Sequence, residues 1–314
     1  MASFTFTGSA VQAGTSGTYS PKNVYTSLDR VRDYLALGSQ HTSDNDTLKR
    51  FIYSASRAID RQTHRYFYPN RKTRYLDLPK DPGVLRFDED LLEVMGLSAI
   101  NGASEVDSSV YWPKQGGDWN DTPYDRIEIK DDSGSLFNYS GTEQRAVHLD
   151  GIWGYREDYD SEGWVDTGAS LTGSITATAL TLNLSGSAGE DTNGYAPRLW
   201  EDQLLKIDSE FLRVVRGDSS SQIRVMRGVN GTTAASHASA IAVYGWAVQD
   251  DIEYACRQLT VYQYIKSIDP TTERVAVPTM GGFSIAAPST WPPEVKETLE
   301  HYRKQRVYTI TVED

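Results

Sequence analysis

The spacing of apolar residues changes period twice along the chain. Leu48, Phe51, Ile52, Ala55, Ala58, Ile59 and Gln62 recur at three and four, which predicts one stripe of a helix over about 44–63. Ser43 or Asp44 can cap it, because a side-chain oxygen there accepts from free first-turn amides. Lys49, Arg50, Arg57, Asp60 and Arg61 lie off the stripe. A shorter helix precedes it: Thr26 and Asp29 have capping-box spacing, Leu28, Val31 and Leu35 form a face, and Gly38 ends it. From 73 to 155 the rhythm is two. YLDL, VLRF, LLEVMGL, RIEIKD and AVHLDGIWGY read as strands, with DPG, NG and DDSG as turns. VYWPKQGGDWNDTPY reads as a long structured loop, and YREDYDSEGWVDTGASLTGS as a boundary. Beyond it, ALTLNLSG, QLLKIDSEFLRVVRG, QIRVMRGVNG and AIAVYGW predict an all-β stretch over 171–246. Helical period returns with Val248, Ile252, Ala255, Leu259 and Tyr262 up to Asp269-Pro270, then with Val295, Leu299 and Tyr302 behind Trp291-Pro292-Pro293.

Two helices early and two late around a β-rich middle predict an α+β fold. The expectation is a small helical bundle from the N- and C-terminal helices with β-hairpins, plus an inserted all-β module. Its parts are a flexible N-terminal arm at 1–25, a first core part at 26–165, the module at 166–247, a second core part at 248–305, and a strand-like tail at 306–314.

Composition is that of an ordinary globular chain: 39% hydrophobic and 24% charged over 314 residues. The net charge of −12 argues against a nucleic-acid binder as a whole, but it is uneven. Residues 1–75 carry +6, residues 76–250 carry −16, and the rest −2. Such asymmetry suggests faces with different partners. The single Cys256 excludes an internal disulfide and points to a reducing compartment. The first twenty residues lack the basic and apolar regions of a signal peptide, and no run of residues suits a membrane span, so no membrane partner is expected.

Candidate chemistry is sparse. His41, His64, His148, His237 and His301 are scattered without metal-ligand spacing, and no GxSxG, P-loop or GxGxxG is present. RGVNGTT lacks the Lys and following helix of a phosphate cradle and reads as a hairpin turn. Carboxylates at DEDLLE (88–93) and REDYDSE (156–162), with Trp112, Trp119, Trp153 and Trp164, leave a sugar cleft open as a rival reading. No catalytic residue, cofactor or metal is expected. The densest positive charge is SASRAIDRQTHRYFYP and its continuation, where Tyr66, Phe67 and Tyr68 interrupt the arginines. Charge with stacking suits nucleic acid. The acidic remainder favours contacts with a neighbouring subunit instead, through Arg57, Arg61, Arg65, Arg71 and Arg74.

DNDTLKRFIYSASRAIDRQTHRYFYP…TRYLDL, LLEVMGLS, AVHLDGIWGY and QDDIEYACRQLTVYQYIK together resemble the head–tail connector (adaptor, or head-completion) proteins of long-tailed double-stranded DNA phages. The similarity covers about 43–100, 145–167 and 248–305. The resemblance implies a virion protein, assembled in the host cytoplasm, that forms a ring of roughly twelve copies at the capsid–tail junction. Its partners would be the portal protein above, stopper or tail-completion proteins below, further copies of itself, and double-stranded DNA in passage. An acidic channel wall would let DNA slide. The tail Val307, Tyr308, Thr309, Ile310, Thr311 and Val312 is β-branched without Pro or Gly, and suits strand addition to the portal. A tail, baseplate or receptor-binding component is the other alternative.

Overall fold

The computed structural model describes residues 22–37, 42–98, 105–116, 121–138, 142–268, 275–279, 282–286 and 291–304. The chain divides into two compact units: one holds residues up to Ser27 and Phe67–Gln249, the other Leu28–Tyr66 and Asp250 onward. The N-terminal arm before residue 22 and the tail Val307–Val312 lie outside the described residues.

Helices α1 (Leu28–Tyr34), α2 (Asn45–Thr63), α4 (Asp250–Ile268) and α5 (Pro293–His301) gather in the second unit. α2 buries Leu48, Ile52, Ala55, Ser56, Ala58, Ile59, Asp60 and Thr63. This face is rotated from the expected stripe: Ser56 and Thr63 are tolerated inside because each hydroxyl donates to the carbonyl four residues back. Asp44 stands at the N-cap without a side-chain capping bond; its carboxylate accepts from the Tyr264 hydroxyl at 2.6 Å instead. α4 packs against α1, α2 and α5 and is buried on most of its circumference, polar Gln258 and Thr260 included. Cys256 is buried there, 3.4 Å from the Ser56 hydroxyl. A hairpin of β12 (Val275–Thr279) and β13 (Gly282–Ala286) also belongs to this unit.

The first unit overturns the expected fold class. Two antiparallel sheets dominate it, and they are not hairpins attached to a helical bundle with a small insertion. The first sheet holds β1 (Asn70–Leu76), β2 (Val84–Ser98), β3 (Tyr111–Lys114), β4 (Tyr124–Ile129) and β5 (Val147–Trp153), in the order β1-β5-β2-β4-β3. Leu85, Leu91, Leu97, Ile127, Val147, Leu149 and Trp153 make a core of its own, so these strands need no helix behind them. The expected loop at 110–124 supplies the edge strand β3, paired with β4 from Tyr111↔Ile129 to Lys114↔Arg126.

The second sheet contains β6 (Trp164–Ser170), β7 (Thr181–Asn183), β8 (Leu204–Ile207), β9 (Glu210–Ser219), β10 (Gln222–Met226) and β11 (Ala242–Trp246), in the order β6-β11-β8-β9-β10-β7. Its ends meet: Leu171 bridges Leu184, Thr172 N–H donates to Asn183, and Ser185 N–H donates to Ser170. The sheet therefore closes on itself as a small barrel, which removes its free edges. Ala169, Leu171, Leu182, Leu184, Leu205, Ile207, Leu212, Val214, Ile223, Val225 and Val243 fill the inside. Leu92 and Ile152 of the first sheet share a further cluster with Leu204, Phe211 and Trp246 of the barrel, with Tyr159 of the one-turn helix α3 (Tyr159–Glu162) among them. The expected boundary segment is thus partly strand β6, held by β11.

Candidate functional site

The five arginines are divided between the two units. Arg57, Arg61 and Arg65 belong to the helical unit, Arg71 and Arg74 to the β unit. Arg57 reaches Asp60 on its own helix at 2.7 Å and lies over the Tyr53 ring. Arg61 is exposed, with no ion pair among the described residues, whereas Arg65 is half-buried. Arg71 pairs with Asp150 at 2.8 Å across the β1–β5 ladder, and this hydrogen bond raises its pKa further. Arg74 pairs with Glu89 and covers the Trp153 ring. Two of the expected intersubunit arginines are therefore satisfied inside their own sheet.

Of the interleaved aromatics, Tyr66 is exposed and Phe67 buried. Phe67 anchors the β unit: its N–H donates to the Tyr25 hydroxyl, its carbonyl accepts from Trp246 Nε1, and Tyr25 and Tyr155 meet its ring edge-on. Tyr25 is held because the segment entering the unit is pinned; Lys22 N–H donates to Asp202, and Asn23 bonds Asn230. Two of the four tryptophans suggested for a sugar cleft pack inside the β unit. Trp153 is buried with Nε1 donating to the Lys72 carbonyl, and Trp164 sits against Phe211 and Trp246. Trp119 lies outside the described residues, while Trp112 is exposed on β3 with the Lys114 and Lys130 ammoniums over its ring. Lys114 and then Arg126 hold the Glu128 carboxyl below its ordinary range beside it. In the carboxylate runs, Glu93 accepts from the Tyr159 hydroxyl, Glu157 from Tyr155, and Glu162 from Arg156.

An ionic node in the barrel was not foreseen. His237 is buried with Nδ1 2.7 Å from Asp208 and Nε2 2.8 Å from Glu210. Glu210 also receives Arg227 in a two-bond fork at 2.7 Å and the N–H groups of Gly228 and Ala235. Burial pushes the Glu210 carboxyl up, but Arg227, the Ala235 amide, His237 and the Gly228 amide outweigh it and bring it down to about 2. Arg227 further donates to the carbonyls of Thr176, Ala179 and Ala235. The node ties three loops to β9 and contains no nucleophile. RGVNGTT does turn, with positive φ at Gly228, Asn230 and Gly231, but it is not the expected hairpin, because β10 and β11 on either side of it are not neighbours in the sheet.

In the helical unit, Asp251, Glu294, Glu297, Thr298, His301 and Tyr302 line an open cleft of about 300 Å³. Among the described residues no group of three or more His, Cys, Asp or Glu is placed to hold a metal ion. None of the described helices is long and apolar enough to cross a membrane. Compared with known proteins, the chain matches no family model and no curated protein.

Proposed function

We propose that the protein is a structural subunit of a phage neck, one copy of a ring that docks beneath the portal, extends the DNA channel and presents a surface to stopper or tail proteins. The observation that carries this reading is how the connector-like segments, distant in sequence, adjoin in space. In the helical unit, α2, α4 and α5 pack on one another. In the β unit, β1, β5 and β2 are consecutive strands of one sheet. Charge supports it too. The β unit holds 17 Lys and Arg against 28 Asp and Glu, the helical unit 14 against 15. A ring that turned the β unit inward would repel passing phosphates rather than grip them. Arg61, outward and unpaired among the described residues, is a contact to the next copy.

Electron microscopy of virions with a labelled chain tests the reading, together with mixing the purified chain with portal rings. The expected result is label at the capsid–tail junction and a symmetric collar added to the portal. Label at the tail tip would favour the receptor-binding alternative, and a chain that ignores the portal and binds glycans would end the neck reading.

A further inference from the structure

The outer edge of β1 is built to take another strand. The β1–β5 ladder runs without a register shift from Asn70↔Trp153 to Leu76↔Val147, so its hydrogen-bonding groups alternate between β5 and the outside. Asn230 fixes the phase. Its carbonyl accepts the Arg71 N–H at 2.9 Å, and its side-chain amide donates to the Pro69 carbonyl at 2.8 Å. These are bonds that a neighbouring strand would make. The imitation ends there, because the chain turns away at Gly231. The next outward positions, Thr73 and Tyr75, have no backbone partner beyond β5 among the described residues, and both side chains are exposed.

We propose that this edge is a strand-addition site for the sequence Val307–Asp314 of a second copy of the chain, a contact that rests on the ring reading. Charge and pattern select that occupant. β1 reads NRKTRYL, with three cations and no acid. Two of the three are matched within the sheet, leaving Lys72 exposed without an ion pair among the described residues. At the other end Arg145 is exposed and lies 4.7 Å from the Tyr75 ring. VYTITVED offers β-branched alternation, no Pro or Gly, and the acids Glu313 and Asp314. Its acidic end meets a cation whichever way the strand runs. The same cations repel a second β1 edge, so they exclude symmetric pairing while admitting an acidic strand. The sequence offers this segment to the portal; the structure supplies a seat for it on the neighbouring copy.

Two singly substituted full-length chains, Tyr75→Cys and Ile310→Cys, are mixed and mildly oxidised. The native Cys256 is buried and silent. Facing residues of paired strands have Cα atoms about 4.5–5.5 Å apart, within disulfide reach. The expected product is a heterodimer whose yield alternates as the second cysteine is moved through positions 307–312. Thr73→Pro deletes an outward N–H while sparing the β5 ladder, and should lower that yield at least about fivefold, the factor for one lost hydrogen bond. The surface double variant Lys72→Glu/Arg145→Glu should lower it as well, with the unfolding midpoint unchanged. No heterodimer, a yield indifferent to both variants, or cross-links made only to the portal would overturn the proposal. A heterodimer formed by a chain absent from the neck would sink the ring reading alone, and a neck ring without the heterodimer would sink this contact alone.

Discussion

Glu210 is 1% exposed yet charged, since it accepts from Arg227, His237 and two backbone amides. Its folded pKa of about 2 lies below the ordinary 4.5, so its contribution is complete above about pH 4.5 and is lost as pH falls towards 2. Glu210→Gln should cost about 3 kcal/mol at neutral pH and flatten the acid limb between those values, read by denaturant unfolding at several pH values. Arg61→Ala should move stability by less than about 0.5 kcal/mol while weakening ring assembly on portals. Arg71→Ala leaves Asp150 without its pair and should cost about 1 kcal/mol, with assembly following stability. The sequence carried one clue to the barrel node. Glu210 falls on the same inward alternation as Leu212 and Val214, an acid where the pattern calls for an apolar residue. Which groups answer it could not be read, because Arg227 and His237 arrive from other loops.

At the scale of elements, α2, α4 and α5 were legible because a helix writes its period locally. β2 was legible only in pieces. VLRF and LLEVMGL are one strand whose register shifts between Arg86 and Leu91, which breaks the alternation in two. β6 was hidden by acid, Gly and Ser, although Thr167 and Ala169 do alternate inward. Pairing such as Asn70↔Trp153 joins residues about eighty apart, and no local period encodes that. Two glycines mark where backbones approach. A Cβ at Gly231 would come within 2.0 Å of the Arg71 carbonyl at φ +80°, and one at Gly151 within 2.7 Å of the Glu93 carbonyl. Gly231→Ala should cost about 3 kcal/mol in denaturant melts and expose the start of β1 to hydrogen exchange.

The whole molecule puts most of its negative charge in one unit, which bears on DNA directly. The protein should fail to retard double-stranded DNA on a gel at about 0.15 M salt, since the 28 acids of the β unit outnumber its 17 bases and repel phosphate. Retention would contradict a repelling channel wall. The expectation of early and late helices around a β middle located the chain's segments, but it misjudged their proportions. Two sheets with their own apolar cores outweigh the helices, and strands with separate cores look the same in sequence as hairpins leaning on a bundle.

The helical unit is made from both ends of the described chain, and this fixes an order of events during synthesis. α1 and α2 leave the ribosome early, but α4 and α5 follow only after more than 180 intervening residues. The sheets can complete themselves in the meantime, because domains form as their residues emerge. The apolar side of α2 must then wait in water or in the keeping of a chaperone. Ribosome-stalled chains long enough to expose everything up to residue 250 should show a protease-resistant β unit beside a readily cut α2, and emergence of the residues that follow should close that vulnerability.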